Sequence, residues 1–193
     1  MNRSDIDKLQ DKAHWRGLTP EEFNEVLQRI INYKGDDNLE SLLSTLGYAG
    51  GSEDRELVEK YLIYPEDPMV SRSALSVLCD DWDLTPQYID YVKTFVRGVK
   101  WDERREVRVM AMCIAGEYVR KAGDRECLEC LIDVFINIHE DLTIRSIVFR
   151  CILRAIGEDW NEVQNIDPQS PFVKETIEKA YLLLNKLKKN FGK

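Results

Sequence analysis

The chain repeats itself at a fixed interval. Val70-Ser-Arg-Ser-Ala74, Val107-Arg-Val-Met-Ala111 and Ile144-Arg-Ser-Ile-Val148 follow one another at a spacing of 37 residues, twice over. A period of this size marks an array of helical units, each too small to bury its apolar face alone. Neighbouring units must cover that face for one another. Such arrays present extended surfaces, so the period favours holding a partner over performing chemistry.

The rest of the pattern is helical too. A short helix runs from about residue 4 to Gly17. Thr19-Pro20-Glu21-Glu22 then supplies an N-cap, a proline at the first helical position and carboxylates facing the positive helix end. Phe23, Val26, Leu27, Ile30 and Ile31 form the apolar stripe of that second helix, which Gly35 closes. Residues 38–48 repeat the pattern with Leu39, Leu42, Leu43 and Leu46. Three helical pairs are expected next, at 53–64 with 68–80, 86–99 with 104–121, and 124–138 with 142–156. Ser170-Pro171 opens a last helix reaching about residue 189. No segment alternates with period two, so no sheet is expected.

The junctions inside the pairs read Glu66-Asp-Pro-Met-Val70, Glu103-Arg-Arg-Glu-Val107 and Glu140-Asp-Leu-Thr-Ile144. Asp67 and Asp141 suit N-caps, whereas Arg104 stands where the second pair would place its capping acid. Arg108 and Arg145 share one helical phase, and Arg72 sits one place later. These junctions resemble the HEAT repeat family, whose second helix typically begins D-P-x-V-R-x-x-A. Asp67-Pro-Met-Val-Ser-Arg-Ser-Ala74 nearly reproduces that pattern. The resemblance covers residues 53–157. It implies an all-α fold: a short right-handed α-solenoid of antiparallel helical hairpins within a single domain. Residues 1–52 would form an N-terminal cap, 53–157 three repeats, and 158–193 a C-terminal loop and capping helix. The second helices would line the concave side, with Arg108 and Arg145 pairing with loop acids of neighbouring repeats.

Charge narrows the choice of partner. The 193 residues carry a net charge of −8. The stretch from Lys174 to Lys193 is basic, so residues 1–173 are more acidic still. Phosphates demand Lys and Arg, so nucleic acid is disfavoured as a partner. An acidic body attracts a basic protein and speeds its arrival; the same acidity also serves plain solubility. The charged N-terminus is unlike a signal peptide, and no run approaches the roughly 20 apolar residues of a membrane span. A cytoplasmic location, with no membrane contact, is the expectation.

Signals for chemistry are weak. The sequence has no G-x-S-x-G, H-E-x-x-H or G-K-[ST] motif. Gly47-Tyr-Ala-Gly-Gly-Ser52 lacks the lysine of a phosphate loop and reads as a left-handed helix stop. Cys79, Cys113, Cys127, Cys130 and Cys151 fall inside helical patterns and read as reduced thiols packed as small hydrophobes. Cys127-Leu-Glu-Cys130 has no second pair to complete a zinc site. No enzyme activity, no cofactor and no metal are expected.

What remains are acids clustered with aromatics. Asp80-Asp81-Trp82-Asp83 and Glu158-Asp159-Trp160 fall at the ends of two second helices, and Glu117-Tyr118 holds the matching place in the middle repeat. Carboxylates there oppose the negative helix end, so stability does not put them there. An aromatic ringed by carboxylates can anchor Lys or Arg from another protein. The alternative is that the tryptophans fold back on the core while the acids solvate loops. Short acidic HEAT-like chains look like bacterial immunity proteins, which neutralise a basic toxin domain by binding it. That resemblance implies a monomer holding a basic protein. An adaptor or assembly scaffold is the second reading. A third is an enzyme: some alkylated-base DNA glycosylases have a HEAT-like fold, and Asp81-Trp82-Asp83 resembles their Trp and Asp lesion site, although the acidic body opposes DNA binding.

Overall fold

The computed structural model describes residues 3–35, 38–159 and 166–190. Among the described residues there are ten α-helices, one 3-10 turn and one π-helical turn, and no strand. No helix among them is long and apolar enough to cross a membrane. The chain packs as two compact units: residues 1–88 with 101–107, and residues 89–100 with 108–193.

The first unit begins with α1 (Arg3–Trp15), α2 (Pro20–Ile31) and α3 (Leu39–Ala49). A capping box starts α2. The Thr19 hydroxyl accepts from the Glu22 amide at 3.3 Å, and the Glu22 carboxylate accepts from the Thr19 amide at 2.8 Å. Lys12 of α1 adds an ion pair to Glu22 at 2.6 Å. Both α1 and α2 pack on α3, whose Leu39, Leu42, Leu43 and Leu46 are buried. The turn after α3 differs from expectation. Gly50 and Gly51 are extended rather than left-handed, because the chain runs straight into a 3-10 turn at Ser52–Asp54.

The first helix of the first repeat is also shorter than the pattern predicts. Instead of 53–64, α4 spans only Arg55–Glu59. Beyond it, backbone and side-chain donors find partners outside the helix. The Tyr64 amide donates to the Ser71 hydroxyl at 2.8 Å, and the Tyr61 hydroxyl donates to the Ile30 carbonyl at 3.1 Å. Buried Val58 and Leu62 keep the segment on the core. Next come α5 (Pro68–Ser76), capped by Asp67 through the Met69 amide at 3.0 Å, and the π-helical turn Val77–Asp81.

Helix α6 (Thr85–Arg97) contributes residues 85–88 to the first unit and 89–97 to the second. Helix α7 (Glu106–Ala122) is capped from an unexpected position. The acid missing at residue 104 is supplied by Asp102, 5% exposed, whose Oδ1 accepts from the Glu106 amide at 2.9 Å. Arg105 between them takes a left-handed φ of 62° to make this turn.

The second unit holds α8 (Arg125–Ile136), α9 (Leu142–Ile156) and α10 (Pro171–Asn190). Asp124 caps α8 through the Cys127 amide, and Asp141 caps α9 through the amides of Thr143 and Ile144. Gly157, with φ 79°, ends α9 in the left-handed conformation that glycine adopts without a Cβ penalty. Helix α10 packs on both α8 and α9.

The repeat positions behave alike in burial. Val70, Val107 and Ile144 are at most 2% exposed, and Ala74, Ala111 and Val148 are fully buried. The two in-phase arginines also do the same thing. Arg108 Nε donates to the carbonyl of Val96, the penultimate residue of α6, at 3.0 Å. Arg145 Nε donates to the carbonyl of Phe135, the penultimate residue of α8, at 2.9 Å. Each satisfies a carbonyl that its helix end leaves without an intrahelical partner. Arg145 also stacks on the Phe135 ring, 5.3 Å from its centroid. Arg72, one place out of phase, instead lies 3.9 Å from Met69 Sδ.

Candidate partner-binding surface

The Asp80-Asp81-Trp82-Asp83 segment is shaped by the end of α5. There the helix widens into the π turn, and the Trp82 amide bonds back to the Val77 carbonyl at 3.0 Å. Asp83 then turns left-handed at φ 51°, and the Leu84 amide returns to the Leu78 carbonyl at 2.9 Å. Asp is among the few residue types that tolerate this conformation. The Thr85 hydroxyl closes the turn on the Cys79 carbonyl at 3.1 Å. Asp80, Asp81 and Asp83 are exposed, while Trp82 is half-buried.

Trp82 is held in place by α3. Its indole N–H donates to the Gly47 carbonyl at 3.2 Å. Gly47 also leaves room for Asp81. A Cβ there would lie 2.5 Å from Asp81 Oδ2 and 2.7 Å from Val77 Cγ2. The Asp81 carboxylate therefore tucks against the α3 backbone although the residue as a whole is exposed. Burial, with the Asp80 charge adding to it, pushes this carboxyl up to about 6; the nearby His14 works in the opposite direction.

An aromatic group not foreseen from the sequence lies beside this turn. His14 meets Trp15 edge-on at 4.5 Å and Tyr48 at 4.7 Å. All three are exposed, Trp15 by 78%. The signal was present in the sequence. Ile6, Leu9 and Ala13 are the buried stripe of α1, and Trp15 falls off it. Exposed aromatics, the tucked Asp81 carboxylate and a pinned indole thus share the α1, α3 and α5 ends of one unit. This arrangement can receive a cationic side chain by charge and by ring contact.

The other expected residues belong to the second unit, and their carboxylates are engaged. Glu117 is bound by Arg120, with a second contact at 3.1 Å, and Lys121 lies 4.0 Å away. The Arg120 hydrogen bond holds the Glu117 carboxyl below its usual range. Tyr118 is half-buried, and burial raises its hydroxyl. Glu158 pairs with Lys179 of α10 at 2.9 Å, and Asp159 is exposed. Trp160 lies outside the described residues.

Elsewhere in the second unit, Arg97, Glu126, Asp133 and Tyr181 help to line a cleft of ≈ 640 Å³. Its charges are mixed, and Glu126 is committed to Lys93 at 2.5 Å. No group of three or more His, Cys, Asp or Glu side chains among the described residues could hold a metal ion. Comparison with family models, curated proteins and solved structures finds no match to this chain.

Proposed function

We propose that the chain is a non-enzymatic binding module that holds a basic protein, and that its role is that of an immunity protein neutralising a toxin domain in the cytoplasm. The observation that carries the reading is the Asp80–Asp83 turn. Three exposed acids flank in sequence an indole fixed by a hydrogen bond, beside a rim of exposed aromatics. Acids give long-range attraction, and a rigid aromatic gives a short-range anchor. The scaffold proposed for it is a short right-handed HEAT-like solenoid of antiparallel hairpins. The identical anchoring of Arg108 and Arg145 on preceding helix ends, and the six buried repeat positions, support that reading.

The test is protection. The product of the gene directly upstream, which this reading expects to be a basic toxin, is produced in cells with the chain, without it, and with a D80K/D81K variant. Survival with the wild type and killing with the variant is the expected result. Survival that ignores both substitutions and Trp82→Ala rejects the surface. Binding without protection points to the scaffold role instead.

A further inference from the structure

We propose that Cys113 and Cys151 form an oxidation site: a dithiol that hydrogen peroxide converts to an intramolecular disulfide. The inference is independent of the partner-binding reading. Cys113 lies on α7 and Cys151 on α9, and their sulfurs are 4.0 Å apart. A disulfide requires about 2.05 Å, so the two sulfurs must approach by rotating about their side-chain bonds. The close approach of α7 to α9 favours this. Gly116, one turn beyond Cys113, lets α7 approach so closely that a Cβ there would lie 2.6 Å from the Cys151 carbonyl oxygen.

The two thiols are not equivalent. Cys113 is half-exposed and lines a groove of ≈ 200 Å³, whereas Cys151 is 5% exposed. The Cys151 S–H donates to Cys113 Sγ. That hydrogen bond, together with burial, keeps the Cys151 thiol well above its usual range and therefore protonated. Cys113 is the sulfur that peroxide can reach, and a thiolate there is the attacking form. Arg150 and Arg154 also line the groove and place positive charge beside it. Cys79, Cys127 and Cys130 are at most 4% exposed, and burial raises all three thiols.

The chemistry balances in two steps. Cys113 thiolate attacks one peroxide oxygen, the O–O bond breaks, and the departing hydroxide takes a proton to leave as water, giving a sulfenic acid on Cys113. Cys151 sulfur then attacks Cys113 Sγ. The S–O bond breaks, the S–S bond forms, and the hydroxide leaves with the Cys151 proton as a second water. Two thiols lose two electrons and two protons, and one peroxide becomes two waters. A dithiol reductant reverses the result.

The whole chain is treated with hydrogen peroxide at low protein concentration. Free thiols are alkylated and the protein is digested with trypsin without reduction. The expected product joins the peptide Val109–Arg120 to Cys151–Arg154, two hydrogens lighter than their sum and separated by dithiothreitol. The oxidised chain should melt several degrees higher, since the link closes a loop of residues 38 apart. Cys151→Ser should leave Cys113 as sulfenic or sulfinic acid, and Cys113→Ser should leave Cys151 alkylatable. The proposal is overturned if folded wild-type protein yields both cysteines alkylated, yields Cys113 overoxidised without the link, or forms only disulfide-linked dimers.

Discussion

Arg108 of α7 meets Glu140, in the turn before α9, at 2.7 Å. The two are 32 residues apart in sequence, and their side chains are only 12% and 11% exposed. Arg108 therefore does two jobs. Its Nε satisfies the end of the helix before it, and its Nη2 holds the acid of the next junction. An ion pair this sheltered differs from the surface pairs that contribute little.

Arg108→Ala should accordingly destabilise the fold by about 2–4 kcal/mol, because it removes the cation beside the sheltered Glu140 carboxylate and strips the Val96 carbonyl of its donor. Glu140→Ala should cost less. Urea denaturation of both single variants and the double variant measures the coupling. Additivity within about 0.5 kcal/mol would show that the pair does not matter.

Reversing Asp80 and Asp81 to Lys should mainly slow association with a basic partner, and the slowing should shrink as salt rises. Stopped-flow binding at two ionic strengths separates this from a loss of contacts. Trp82→Ala should instead raise the dissociation rate, weakening affinity by about 2 kcal/mol or more. It should also cost some stability, since the indole is bonded to Gly47. Unchanged rates in both variants would reject the surface.

Asp81 predicts a pH dependence with a definite sign. Its folded carboxyl sits at about 6, above its ordinary value of 3.8. Between those values the folded state binds more protons than the unfolded one, so this group's contribution to stability falls as pH rises from about 4 to about 6, then levels off. Asp81→Asn should flatten that slope and stabilise the protein at pH 7 by about 1 kcal/mol, a value reduced for the group's partial solvation. Melting temperature against pH for the two proteins checks it. A steeper slope in the variant would contradict the assignment.

Gly116→Ala should overpack the approach of α7 to α9. The new methyl would fall 2.6 Å from a backbone carbonyl that cannot swing aside. A loss of about 1–3 kcal/mol is expected, and Ala111→Phe at a fully buried site should cost a similar amount. A denaturation midpoint equal to wild type would show slack in this contact.

The helices were legible where cap and stop agreed with apolar phase. Helix α9 has its N-cap at Asp141 and its ends at Leu142 and Ile156, where the sequence puts them. Helix α4 ends early because a tertiary partner, the Ser71 hydroxyl, takes the Tyr64 amide that a longer helix would bond locally. The Asp102 cap was hidden because a left-handed arginine, which no local preference favours, sets its geometry. At the surface, the sequence marked the acids around Trp82. It could not show that Lys179 neutralises Glu158, since the two are 21 residues apart, whereas the Glu117–Arg120 pair, three residues apart on α7, lay within reach of the sequence. Nor could periodicity place His14, Trp15 and Tyr48 together, because that meeting depends on how α1 lies on α3.

The π turn at Val77–Asp81 has an evolutionary consequence. It accommodates one residue more than an α-helical turn requires, and each residue in a helix rotates its successors by about 100°. Deleting one residue here would rewind the segment and swing Asp80, Asp81 and the indole to a different bearing, while the buried positions of α5 upstream stayed where they are. A lineage could thus re-aim these side chains by a single-codon insertion or loss, at the cost of repacking Val77, Leu78 and Cys79, which the turn buries.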